Sequence, residues 1–143
     1  MTKDERGSVL MLVPAAVLVL LVLAAIAIDS AVIFLASRDL SNRTAAVAND
    51  VAGAAVSDAS FYGGAGVVLD GDAARRYAAT AFAAPSKPEG YVAWAGEATV
   101  VGDRTVEVVA WAEVRHVFAG AIPGVDGVTR VEARSVATAR GGE

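Results

Sequence analysis

A continuous apolar run occupies the N-terminal part of the chain. Residues 9–28 carry no charged side chain, and the run ends at Asp29. A helix rises about 1.5 Å per residue, so about 20 apolar residues cross the roughly 30 Å of hydrocarbon in a bilayer. The pattern predicts a short N-terminal segment over 1–8 and a single transmembrane helix over 9–29. The large apolar residues that define this span are Val9, Leu10, Leu12, Val13, Leu18, Leu20, Leu21, Leu23, Ile26 and Ile28.

A cleavable signal peptide is the competing interpretation, because residues 25–27 (Ala-Ile-Ala) have the small-x-small form of a cleavage site. The apolar run is longer than the roughly 7 to 15 residues of a typical signal core, and the charges at positions 3–6 cancel. Both features favour a permanent anchor. The positive-inside rule leans slightly toward a cytoplasmic N-terminus. We therefore expect a cell-membrane protein whose residues 30–143 form one extracytoplasmic domain.

The helix that leaves the membrane is expected to continue over about 30–58. Residues 31–58 contain no proline, and their one glycine is Gly53. Together with the span, this predicts a rod of about fifty residues, roughly 75 Å long. Pro14 falls in its second turn, where a kink or a late start costs least.

Small side chains form a stripe on the outer half of this helix. Ala48, Ala52, Ala55 and Ala59 recur at spacings of four, three and four, with Ser37, Ser41 and Thr44 or Ala45 extending the stripe backward. Small residues on one helical face allow close approach of another backbone. The stripe is compatible with packing on the protein's own sheet or with packing on a partner helix.

The C-terminal half changes from a helical period to a period of two. A short helix is predicted over about 72–84, with caps offered by residues 70–72 (Asp-Gly-Asp). Strands are predicted over about 91–101, 104–117 and 128–139, the first two joined by a Gly102-Asp103 turn. The fold class is therefore α+β: a long N-terminal helix packed on a small antiparallel sheet. Alternation places Val92 and Trp94 on the helix-facing side and Trp111 on the outer side.

Composition offers little for catalysis or for nucleic-acid binding. The chain has no cysteine and one histidine, His116, for which a packed or half-exposed structural role is expected. Its net charge is −4 and its basic residues are scattered, so no basic stripe exists for nucleic acid. We expect no enzyme activity, no cofactor, no metal site and no small-molecule substrate.

Asp29 is the most informative polar residue. An ionisable group at the edge of an apolar segment lies either at the water boundary, where it costs little, or inside an assembly, where it needs a partner. A basic side chain or the N-terminal amine of a neighbouring protein is the partner that we would then expect.

The chain resembles the TadE/TadG-like family of the tight-adherence (Flp) pilus assembly and secretion system. The similar features are Arg6-Gly7 before the apolar core, Ile28-Asp29-Ser30 at the membrane exit, the alanine-rich segment 45–55, the Val106-x-Val108 strand and Phe118. The resemblance implies a pilin-like plan and a role as a minor pilin or assembly protein on the outer face of a bacterial membrane. The implied partners are the membrane and other pilus-assembly or TadE-like proteins.

One position departs from the pattern of processed family members. They carry glutamate five residues after the cleavage glycine, and counting from Ser8 places Leu12 there. We therefore expect Gly7-Ser8 to remain uncleaved, which favours an anchored accessory protein over a repeating filament subunit. The alternative function is a membrane-tethered module that binds an envelope or extracellular ligand, for which Trp111 on the outer face is the candidate contact.

Overall fold

The computed structural model describes residues 5–57 and 66–140, with side chains from residue 12 onward except that of Ala84. Two helices, α1 (Glu5–Ala54) and α2 (Gly71–Ala81), precede a three-stranded antiparallel sheet. Its strands β1 (Tyr91–Val100), β2 (Thr105–Arg115) and β3 (Val128–Thr138) are ordered β1-β2-β3. One long apolar N-terminal helix with a small antiparallel sheet confirms the α+β class.

The long helix α1 changes its environment at Asp29. It runs unbroken for 50 residues and passes through Pro14. The side chains from 12 to 28 are exposed except for the half-buried Ala25, whereas Asp29 is buried and one face of α1 is buried from there onward. Because α1 extends from Glu5, Pro14 lies nine residues after its first residue and not in its second turn as expected; it removes the hydrogen bond to the carbonyl of residue 10 without ending the helix.

The helix-facing side of the sheet forms the core with α1. Val106, Val108, Ala110 and Ala112 of β2 are completely buried, as is Leu40 of α1. Small residues on β2 let the helix lie close to the sheet, because an alanine projects only one carbon toward it. The core is thus made mostly of valine and alanine, with Leu40 as its largest fully buried side chain.

A β-bulge at the start of β1 corrects one predicted face. Tyr91 pairs with Val114, but Ala93 pairs with Glu113, so Val92 is an extra residue on this strand. A bulge reverses the alternation on one side of it. As a result Tyr91 is buried on the core side while Val92 is 38% exposed. The prediction that Val92 faces the helix was wrong.

The short helix α2 covers β1 and begins at a side-chain cap. Asp70 Oδ1 accepts hydrogen bonds from the N–H groups of Asp72 (2.7 Å) and Ala73 (3.0 Å). The bonds from Ala73 and Asp72 hold the pKa of Asp70 below its ordinary value of 3.8. This helix ends at Ala81, before the predicted residue 84, and a 3-10 turn over Ala84–Ser86 follows it.

Phe82, which ends α2, packs flat on a glycine of β1. Its ring meets the edge of Trp94 with 5.1 Å between centroids. A Cβ atom on Gly96 would lie 2.8 Å from Phe82 Cγ and closer still to two other ring atoms. The glycine is therefore required here by the close approach of an aromatic ring, and it sets how closely α2 sits against the sheet.

Candidate functional site

The carboxylate of Asp29 joins α1 to the connection between β2 and β3. Its Oδ1 accepts hydrogen bonds from the backbone N–H groups of Val117 (2.7 Å) and Phe118 (3.0 Å). Its Oδ2 accepts one from Ala119 at 2.8 Å. Asp29 is 8% exposed. One side chain thus satisfies three consecutive N–H groups almost ninety residues further along the chain.

This arrangement differs from both predictions for Asp29. The residue is not solvated at a water boundary, and it has partners without any neighbouring protein. Its partners are neutral backbone donors of its own chain, which the sequence gives no means of foreseeing because no local pattern connects residue 29 with residue 117. A carboxylate can be buried when such donors replace its water.

His116 lies beside Asp29, directly after β2. Its backbone N–H donates to the carbonyl of Gly127 at 2.8 Å, and its Nε2 lies 2.7 Å from Thr129 Oγ1. Its Nδ1 is buried, lacks a hydrogen-bond partner and lies 3.7 Å from Asp29 Oδ2. The side chain is 17% exposed. This location is consistent with the structural role expected for His116.

Asp29, His116 and Thr129 follow one another as carboxylate, imidazole and hydroxyl, the order found in nucleophilic catalysis. A hydrogen bond donated by His116 Nδ1 to Asp29 Oδ2 would need about 2.6 to 3.2 Å, which is shorter than the observed 3.7 Å. The N–H groups of residues 117–119, which could otherwise stabilise an oxyanion, are already occupied by Asp29. The geometry is better suited to fixing this loop than to activating Thr129.

The alanine stripe packs within the chain. Ala48, Ala52 and Ala55 are buried, and Ala59 lies outside the described residues. The buried line continues backward through Thr44, Leu40 and Ala36, whereas Ser41 is exposed and Ser37 is only half-buried. The predicted extension through both serines was therefore wrong. A large side chain such as Leu40 fits on this buried face because β2 presents small side chains, Ala110 and Ala112, toward α1.

Trp111 lies on the outer face of the sheet, as alternation predicts, but it is half-buried. The guanidinium of Arg130 stacks over its ring, 4.2 Å from the centroid. Arg130 also pairs with Glu132, and Arg134 pairs with Glu107 across the strands. The outer face is therefore a ladder of paired charges around a covered aromatic ring.

The residues of the predicted span occupy the exposed first half of α1. From Leu12 to Ile28, the large apolar side chains are 44% to 65% exposed. Val9 and Leu10 lie in the same helix, but their side chains are outside the described ones. Within the described residues, α1 is the one helix long and apolar enough to cross a membrane.

Neither a metal centre nor a known relative helps to assign this site. Among the described residues, no group of three or more histidine, aspartate or glutamate side chains could hold a metal ion. Comparison with protein-family models, with curated proteins and with solved structures gives no match. The features that bear on function are therefore the two differently exposed halves of α1, the contacts of Asp29 and the sequence resemblance.

Proposed function

We propose that this chain is a membrane-anchored, minor pilin-like or accessory protein of Tad/Flp-type pilus assembly and secretion, acting by protein–protein interaction. Its N-terminus is cytoplasmic and its α+β domain is extracytoplasmic. The observation that carries the proposal is that one continuous helix has an exposed apolar half and a half packed on a sheet. This plan is the one that the resemblance to the TadE/TadG-like family implies.

The part of α1 beyond the apolar run leaves an apolar surface for a partner. Phe34 and Leu35 are 66% and 62% exposed on the side away from the core. They follow the membrane exit by one to two turns, where another membrane-anchored helix of the same assembly could lie alongside. Exposed aromatic and aliphatic side chains at such a place are typical of an interaction surface.

Leu12 supports an accessory role rather than that of a repeating subunit. The resemblance implies that a glutamate at this position pairs with a neighbour's new amine in pilin-like assemblies. Leucine cannot form that ion pair, and Leu12 is 62% exposed on the apolar half of α1. Under this proposal the chain is not cleaved at Gly7-Ser8 and stays anchored by α1. It then recruits other assembly proteins through its extracytoplasmic half.

The binding-module alternative draws less support from the outer face. A ligand that used Trp111 would first have to displace Arg130 from its ring. If that alternative holds, the purified protein should bind envelope polymer, and Trp111→Ala should abolish binding without changing pilus number.

In-cell photo-crosslinking tests the proposed role. A photoreactive residue at position 35 should crosslink to another pilus-assembly protein, whereas one at Val136 on the outer sheet face should not. Leu35 and Val136 form a matched pair because they are 62% and 59% exposed. Deletion of the gene should also reduce the number of pili counted by electron microscopy, and the wild-type chain should restore it.

Two results would contradict the proposal. Unchanged pilus number after deletion would remove the pilus role. Protease added to intact spheroplasts should remove a tag placed after Glu143 and spare one before Met1, and the reverse pattern would overturn the topology.

A further inference from the structure

The geometry points to a second membrane contact: the loop from residue 117 to residue 125 lies in the headgroup layer of the outer leaflet and binds the lipid surface. This inference rests on the membrane anchoring in the proposed function and adds a site on the domain itself. The ligand is the bilayer interface, where apolar side chains reach toward the acyl chains.

The position of this loop along α1 is fixed by Asp29. Because three N–H groups of residues 117–119 bind that carboxylate, the loop is level with the first residue after the apolar run. Further up the helix, the Tyr91 hydroxyl lies 2.9 Å from the Ala36 carbonyl, so the start of β1 is about two turns more distant. Of these two attachments to α1, the loop is the one next to the membrane.

The exposed side chains of the loop are apolar. Val117, Phe118, Ile122 and Val125 are 43% to 58% exposed, and residues 117–125 include no charged side chain. The outer face of the sheet, in contrast, carries the ion pairs Arg130–Glu132 and Arg134–Glu107. Exposure of these apolar side chains to water is unfavourable in free energy. Contact with the lipid interface removes that unfavourable exposure.

Most backbone N–H groups of the loop are paired within the chain. Asp29 takes the N–H groups of residues 117–119, and a 3-10 turn takes those of Ala121 and Ile122. Val125 N–H donates to the Ile122 carbonyl, and Pro123 has no N–H to satisfy. Unpaired backbone groups are costly where water is scarce, so a loop that pairs most of its donors internally can enter this layer.

Close packing keeps the loop in one shape. A Cβ atom on Gly127 would lie 2.9 Å from Gly120 Cα, so the two sides of the loop touch through their backbones. The apolar side chains are therefore presented outward by a rigid frame.

Site-directed spin labelling tests the inference without background, because the chain contains no cysteine. Ile122→Cys and Val101→Cys are the compared variants, since the native residues are 56% and 55% exposed. Val101 lies at the opposite end of the sheet: its turn is bonded through Asp103 and Leu69 to the region of Ala55, at the far end of α1. Leu20→Cys reports on the anchor. The full chain is placed in vesicles of phosphatidylethanolamine and phosphatidylglycerol.

The readout is the accessibility of each label to oxygen, which concentrates in lipid, relative to a water-soluble nickel chelate. At position 122 the ratio should be several-fold higher than at position 101 and lower than at position 20. A ratio at 122 equal to that at 101, with position 20 still in lipid, would overturn this inference and leave the anchor intact. Exclusion of both reagents at 122 would show a protein contact instead of lipid, which also overturns it. Water exposure at position 20 would reject the anchor and the loop together.

Discussion

The contact between Gly96 and Phe82 gives the sharpest stability prediction. Gly96→Ala places a methyl group against the ring of Phe82, which is buried and already in edge contact with Trp94. Overpacking of this kind typically costs about 1 to 3 kcal/mol. Alanine in a strand regains about 0.5 to 1 kcal/mol relative to glycine through lower backbone entropy in the unfolded chain. The difference is a net loss of up to about 2.5 kcal/mol, with about 1 kcal/mol as its central value.

Urea unfolding of the full-length protein in detergent micelles, followed by tryptophan fluorescence, measures this loss, since Trp94 is in contact with the ring. Gly53→Ala is the matched control: Gly53 lies on α1 and a Cβ there meets nothing within 4 Å. That substitution should stabilise the protein by up to about 1 kcal/mol.

A double-mutant cycle identifies the cause. In the Phe82→Leu background the flat ring is gone, so Gly96→Ala should cost at least about 0.5 kcal/mol less than in the wild type. An equal cost in both backgrounds would show that the ring contact is not responsible. A neutral or stabilising Gly96→Ala in the wild type would refute the packing argument altogether.

Three further predictions concern α1 and the titrating groups. Ala52→Leu should lower the urea midpoint by overpacking worth about 1 to 3 kcal/mol, whereas Ala46→Leu, at an exposed position of the same helix, should not; equal midpoints would place the stripe in a loosely packed face. Burial, with a further contribution from Asp39, raises the pKa of Tyr91 to about 12. Its contribution to stability is therefore complete below pH 10 and lost as pH rises toward 12, a dependence that Tyr91→Phe should remove when the urea midpoint is measured against pH. The pKa of Asp70 is lowered, so the stability due to its cap is present above its ordinary value of 3.8 and lost as pH falls below it. Asp70→Ser should keep a cap and weaken that acid dependence.

The helices and strands could be predicted from the sequence because the patterns that indicate them lie within short stretches of the chain. An apolar run without charges, the absence of proline from 31 to 58 and a change of period to two define a helix and strands by nearest neighbours alone. The Asp70 cap is likewise a contact over two and three residues. Element ends differ from the predicted ones by up to four residues: α1 ends at Ala54 and not at about 58, and α2 ends at Ala81 and not at about 84.

The candidate site could not be predicted because its partners are distant in sequence. Asp29 was identified as important from its place at the edge of the apolar run, but its donors are backbone groups, which every residue carries. The bulge at Val92 was missed for a related reason, since no residue there is a glycine or a proline that would indicate irregular backbone. The apolar character of the loop after β2 was visible in Phe118 and Ile122, yet its level relative to α1 required the structure.

The attachments between helix and sheet determine how the domain can move relative to the apolar half of α1. If the sheet were joined to α1 through a flexible linker near Asp29, the domain could rotate freely relative to that half. Instead α1 continues through Asp29 without a break, and the sheet is fastened to it there and again where the Tyr91 hydroxyl meets Ala36 and Asp39. Rotation of the domain would have to break the bonds of a buried carboxylate. The orientation of the sheet is thus set by α1, so under the proposed function an assembly that positions the apolar half of α1 also positions Phe34 and Leu35 for a partner.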